Sequence, residues 1–275
     1  MKLGLSSFLF EDYQLESKLP LVKEEGINYM EVKPKEGHFN YQDPEYLDKI
    51  SREFKRNKIK VISMHMPTNG VDISLSEEYD RVWSIREVEK AVLALLRLEG
   101  EIIVVHPGST IEDERGRKRR REKSEQSIEE ILKFCEQWGI KMALENTLPG
   151  KTGDSISEIL EIVKKFASPN LGICLDTGHL NITSKLYKDK QEKVVECLPE
   201  IKDYLIHLHI HDNSGTKDDH LLPFKGEINW PEFVRILQEI EYQGIFMLEI
   251  RKNADSEERE IIKNIKDLHL KLLKG

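Results

Sequence analysis

Eight short runs rich in Val, Ile, Leu and Met recur through the 275 residues, at 3–6, 29–32, 61–64, 102–105, 141–144, 171–175, 206–210 and 245–250, spaced by about one βα unit. The segments between them carry helical periodicity and caps. Asp43-Pro44 opens a helix expected to reach residue 57, and Ser76 opens one to about 98. Further helices are expected over 123–138, 155–166, 188–198, 231–240 and 256–273. Strands apolar on both faces, alternating with amphipathic helices, imply a parallel sheet covered by helices. Eight such units predict an α/β fold, a closed (β/α)8 (TIM) barrel forming a single domain over residues 1–275. A doubly wound open sheet would call for a glycine-rich phosphate turn after an early strand, and the turn Ser6-Ser7-Phe8-Leu9-Phe10 has no glycine.

With 39% hydrophobic and 33% charged residues, and prolines and glycines scattered rather than clustered, the chain reads as an ordinary globular protein. No stretch approaches the roughly 20 apolar residues of a membrane span. The opening Met1-Lys2-Leu3-Gly4-Leu5 run is too short for a signal-peptide core. Cys135, Cys174 and Cys197 form no close metal pair and leave one thiol over in any disulfide scheme, so they are read as structural thiols of a cytoplasmic protein. A net charge of -8 argues against nucleic acid as the main partner, because phosphate binding needs a basic surface.

Chemistry in such a barrel sits where the strands end. Nine residues able to bind a metal fall at or just beyond those ends: His65, His106, Glu145, Asp176, His179, His209, Asp218, His220 and Glu249. Carboxylates and imidazoles are costly to gather in one place unless a cation offsets the charge and uses the imidazole lone pairs. A metal-dependent site is therefore expected.

The segments Ser63-Met64-His65-Met66-Pro67, Val105-His106-Pro107-Gly108, Ala143-Leu144-Glu145-Asn146, Leu175-Asp176-Thr177-Gly178-His179, Leu208-His209-Ile210-His211-Asp212, Asp218-Asp219-His220 and Leu248-Glu249 resemble, in that order, the xylose isomerase-like barrels. That superfamily includes sugar isomerases and epimerases and the endonuclease IV-type abasic-site nucleases. The resemblance implies a central metal held by Glu145, Asp176, His209 and Glu249. Mixed oxygen and nitrogen donors suit Mn2+, Zn2+, Co2+ or Mg2+. In the nuclease branch His65, His106 and Glu145 would hold a second metal, and His179, Asp218 and His220 a third. In the isomerase branch His65, His106, His179 and His220 would meet substrate oxygens instead.

His207, His209 and His211 alternate along the seventh run and should face the interior at different heights. His207 is read as a hydrogen-bonded core histidine. His211 departs from the nuclease pattern, which resembles His-Leu-Asn-Asp here. Glu31 and Lys33 end the second run and, with His38, are expected to line the cavity, Glu31 as a substrate contact. The basic stretch from Arg115 to Lys123 follows the fourth run. It reads either as a solvated helix start balanced by Glu112, Asp113 and Glu114 or as an anion site.

The resemblance implies first a metal-dependent isomerase or epimerase of a sugar or sugar phosphate, with Glu145 and Glu249 as the acid/base pair and a small carbohydrate as partner. Some epimerase relatives carry an arginine six positions after the seventh-run histidine, where this chain has Gly215. The alternative is an abasic-site endonuclease using up to three metals on DNA. The stretch from Gly26 to Val32 resembles the sugar isomerases. Either branch allows a monomer or a homo-oligomer.

Overall fold

In a computed structural model, which describes residues 1–111, 113–187, 193–252 and 257–274, the eight runs are strands. They are β1 Lys2–Ser6, β2 Tyr29–Val32, β3 Lys60–His65, β4 Ile102–Val105, β5 Lys141–Glu145, β6 Leu171–Asp176, β7 Leu205–His209 and β8 Ile245–Leu248. All named pairings are parallel, in the order β7-β6-β5-β4-β3-β2-β1-β8. The ring is drawn together one residue past β7, where Ile210 N–H donates to Met247 O at 2.8 Å and Glu249 N–H donates to Ile210 O at 3.1 Å. The result is a nearly closed (β/α)8 barrel.

The helices among the described residues are α1 Leu19–Glu24, α2 Pro44–Arg56, α3 Glu78–Arg97, α4 Glu114–Gln137, α5 Ile156–Phe166, α6 Thr177–Leu186, α7 Leu198–Ile201, α8 Trp230–Glu239 and α9 Glu258–Lys274. Sequence signals explain several starts. Asp43 accepts from the N–H groups of Glu45 and Tyr46 ahead of Pro44, and Ser155 accepts from Glu158 N–H.

Two expectations change. Of the helix expected at 188–198, residues 194–197 form a turn, only Leu198 is helical, as the start of α7, and 188–192 lie outside the described residues; helix runs at α6 and α7 instead. α6 starts directly at the end of β6 because Asp176 caps it, accepting from His179 N–H at 2.8 Å. The fourth helix begins at Glu114 rather than 123, because Asp113 caps it through Gly116 N–H, so the basic stretch is itself helical.

Each strand divides its side chains between two cores. Ile103, Val105, Met142, Leu144, Ile173, Leu175, Phe246 and Leu248 pack outward with the helices. Ile62, Ile102, Val104, Ala143, Cys174, Ile245 and Met247 form a separate cluster that fills the lower barrel. Stepping two residues along the same inward face leads from Val104 to His106, Ala143 to Glu145, Cys174 to Asp176 and Met247 to Glu249. That switch from apolar to polar places a polar layer on an apolar plug, at the C-terminal mouth.

Candidate active site

The ends of three strands, β5, β6 and β8, converge on the imidazole at the end of β7. His209 Nδ1 lies 3.2 Å from Glu145 Oε1, 3.7 Å from Glu249 Oε2 and 3.9 Å from Asp176 Oδ2. The other ring nitrogen, Nε2, faces Glu31 at 3.0 Å. All five residues are buried. Three carboxylates within 3.9 Å of one imidazole nitrogen are a donor set that fits a divalent cation, which would offset the clustered negative charge.

Two more clusters flank this one. His65 Nε2 and His106 Nε2 stand 3.2 Å apart, and each reaches Glu145 Oε2, at 3.2 and 3.1 Å. Glu145 thus turns one oxygen to His209 and the other to this pair. On the opposite side His220 Nε2 lies 3.2 Å and His179 Nε2 3.6 Å from Asp218 Oδ2. The second oxygen of Asp218 is buried without a hydrogen-bond partner.

The histidines and carboxylates set each other's charge. Burial would push the Glu145 carboxyl up, but His209 and His106 beside it hold it well below the usual range. Burial opposes the charge on Glu249 too, and Lys33, His209 and His220 override it. Lys33 Nζ donates to Glu249 Oε1 at 3.0 Å. His179, which burial alone would deprotonate, is pushed up to about 10 by Asp176 and Asp218. His106 is held down by burial.

The nine residues picked out as ligand candidates all come together at this mouth. His65, His106, Glu145, His179, Asp218, His220 and Glu249 line a cavity of about 350 Å³, with Asp176 and His209 buried against it. Lys33 is on the cavity wall as expected, whereas Glu31 and His38 are not among the lining residues. Glu31 is fully buried beneath His209, bonded also to His207 at 3.0 Å and Ser63 at 2.8 Å. His38 is tied to Tyr13 O and Ser7 Oγ.

The sequence turned His211 inward but assigned it no partner. Its Nε2 sits 3.0 and 3.1 Å from the two oxygens of Asp176, and its ring stacks on His220 at 4.0 Å. Period-two alternation with His209 was the available signal. Phe8 and Arg251 also line the cavity, with the Arg251 guanidinium 5.2 Å and Lys33 Nζ 4.2 Å from the Phe8 ring centre. Cys174 lies just below, its sulfur within 4.8 Å of ligand atoms of Glu145 and His209.

The basic stretch is largely committed to carboxylates of neighbouring units. Arg117 pairs with Asp154 at 3.2 Å and Glu158 at 3.5 Å, Arg120 with Asp72 at 3.0 Å, and Arg121 with Glu161 at 2.8 Å. These contacts pin the loops after β3 and β5 to α4. Of the acids expected to balance the stretch, Glu112 and the side chain of Glu114 lie outside the described residues.

The chain is 30% identical to the uncharacterized protein MJ1311 of Methanocaldococcus jannaschii over 276 residues, 96% of this chain and 88% of that protein. It is 26% identical to a D-psicose 3-epimerase of Enterocloster bolteae over 47% of this chain and 40% of the epimerase. A crystal structure of a D-tagatose 3-epimerase-like protein superposes with a TM-score of 0.83 at 28% identity, covering 100% of this chain and 98% of that one. The model of the xylose isomerase-like TIM barrel matches residues 19–270. That match runs from α1 into α9 and takes in every strand from β2 to β8, and so the chain belongs to the xylose isomerase-like TIM barrel family.

Proposed function

We propose that this protein is a divalent-metal-dependent isomerase or epimerase of a sugar or sugar phosphate. The observation that carries the reading is the convergence of Glu145 and Glu249, from different strands, on one nitrogen of His209 at the wall of the cavity. Its relatives and solved neighbours include sugar 3-epimerases.

Glu145, Asp176, His209 and Glu249 would hold the metal. A bound divalent ion supplies Lewis-acid polarisation of a carbonyl next to the carbon that loses its proton. Glu145 and Glu249 are the acid/base pair. Both are held ionised by their neighbours, so either is ready to accept the proton on the carbon next to the carbonyl. A proton removed by one carboxylate and returned by the other carboxyl from the opposite face inverts the carbon. The carboxyl that returns a proton must first take one up from solvent in the open cavity, and for Glu249 it does so against the Lys33 contact that holds it ionised. His65, His106, His179 and His220 orient substrate hydroxyls around the reacting carbon. Phe8 covers one side and keeps water off it.

The test is proton exchange. Incubated with Mn2+ and a panel of ketoses in D2O, the protein should place deuterium on the epimerised carbon, and Glu145→Gln and Glu249→Gln should abolish this while leaving the fold intact. Wild-type-like exchange in either variant removes that residue from the acid/base role.

One observation favours a second reading, metal-dependent phosphodiester hydrolysis at an abasic site. The two outer clusters, on Glu145 Oε2 and on Asp218 Oδ2, give the site the donors for three cations rather than one. Metal-dependent incision of a duplex carrying a single abasic site would establish it, and one metal per chain by elemental analysis would remove it.

A further inference from the structure

A second, larger cavity of about 900 Å³ opens beside the first and shares Glu11, Lys33, Thr68 and Val71 with it. Sites that enclose organic ligands have volumes of roughly 300–1,000 Å³. The two cavities are therefore one groove with an inner, catalytic end and a roomier outer end. The outer end lies between the segment joining β2 to α2 and the start of α3.

Its walls combine an aromatic face with a fixed polar edge. Trp83 lines this space and stays 43% exposed, so its indole is available to an occupant. Glu87 stands four residues further along α3 and so on the same face of the helix. The Glu87 carboxylate accepts from the Tyr41 hydroxyl, from Gln42 Nε2 at 2.6 Å and from Lys90 at 2.6 Å. Gln42 is further set by its own N–H, which donates to Asn40 Oδ1 at 3.1 Å. A flat indole next to a preordered carboxylate, amide and phenol matches a pyranose, whose C–H face packs on an aromatic ring and whose hydroxyls both donate and accept.

The charge of this end selects against an anion. The two lysines on the wall are engaged, Lys33 with Glu249 at 3.0 Å and Lys35 with Glu11 at 3.1 Å. Glu11, Glu36 and Glu87 line the same space. A phosphate group there would meet carboxylates and paired ammonium groups. A neutral, polyhydroxylated occupant meets neither penalty.

We propose that the outer cavity binds the second ring of a two-ring glycoside, so that the substrate of the site described above is a disaccharide-sized sugar rather than a free monosaccharide. The proposal rests on the sugar isomerase or epimerase reading for the inner end. The continuity of the groove makes the two rings parts of one ligand.

The test is direct binding, which does not depend on turnover. Isothermal titration calorimetry of the Mn2+-loaded protein would compare cellobiose, maltose, lactose, sucrose and trehalose with glucose and fructose. At least one two-ring sugar should bind at least tenfold more tightly than either monosaccharide. Trp83→Ala and Gln42→Ala should each erase most of that preference, whereas Trp138→Ala, which removes an exposed tryptophan away from the groove, should retain it. Equal affinity for one- and two-ring sugars, or a preference that survives Trp83→Ala, would overturn the proposal. Deuterium exchange in the same samples separates the two readings. Exchange into monosaccharides without a two-ring preference defeats the outer subsite alone, and a two-ring preference with no exchange in any sugar defeats the isomerase reading alone.

Discussion

Glu31 Oε1 lies 3.0 Å from His209 Nε2, on the side of the imidazole turned away from Glu145, Asp176 and Glu249. A carboxylate in that place fixes the ring's tautomer and keeps Nδ1 directed at the three carboxylates. Such partners are worth about 10- to 100-fold in metal affinity. Glu31→Gln should therefore weaken Mn2+ binding by about that factor while leaving the circular dichroism spectrum unchanged, as measured by calorimetric titration. Undiminished affinity would mean that packing alone orients His209.

Adding a divalent metal should raise the melting temperature and EDTA should reverse the rise. A ligand at about 100 times its dissociation constant stabilises the folded state by about 2.7 kcal/mol. Differential scanning calorimetry over a series of Mn2+ concentrations reads the effect. Asp176→Asn, which neutralises one of the central carboxylates, should blunt it.

Gly178 sits under His211, and a methyl group there would meet His211 Cε1 at 2.0 Å. His211 is fully buried and bonded to both oxygens of Asp176, so the ring has no free direction in which to retreat. Gly178→Ala should cost about 1–3 kcal/mol by overpacking. Urea unfolding measures the loss, and a second substitution, His211→Ala, should recover part of it.

The basic stretch of α4 separates a structural role from anion binding. Arg117 faces buried Asp154, and removing it leaves that carboxylate short of a cationic partner. Arg117→Ala should destabilise the fold by about 1–3 kcal/mol. Arg119 is exposed, and Arg119→Ala should stay within about 0.5 kcal/mol. Equal effects from the two substitutions would contradict the pairing scheme.

Cys135 is fully buried, and burial pushes its thiol up to about 12. The folded protein keeps a proton that the unfolded chain releases near pH 9. This contribution to stability is complete below pH 9 and is lost as the pH climbs towards 12. Alkaline melting curves should therefore flatten in Cys135→Ala. Ellman's reagent should label none of Cys135, Cys174 and Cys197 in the folded protein at pH 8 and all three in guanidinium. Rapid labelling of the folded state would contradict the burial.

The barrel was legible because its signal is repeated and local. Each strand is an apolar run of fixed length, and the change of type on its inward face, from Ala143 to Glu145 or from Met247 to Glu249, is written two residues apart. The helix boundaries were less legible because caps compete. Asp113 and Asp176 outdid the starts expected downstream, and Asp176 serves both as a site residue and as the cap of α6.

The sequence by itself determined which side chains reach the mouth of the barrel, because strand period and strand end settle facing and height. Tertiary structure alone decided how those side chains divide their atoms. Depth places Glu31 beneath His209 rather than on the cavity wall, and a close approach of strand ends sets His211 on Asp176. It also brings Trp83 of α3 to the groove that ends at Glu249. These relationships join residues from distant units, and their distances follow from the curvature and closure of the sheet, which no local pattern records.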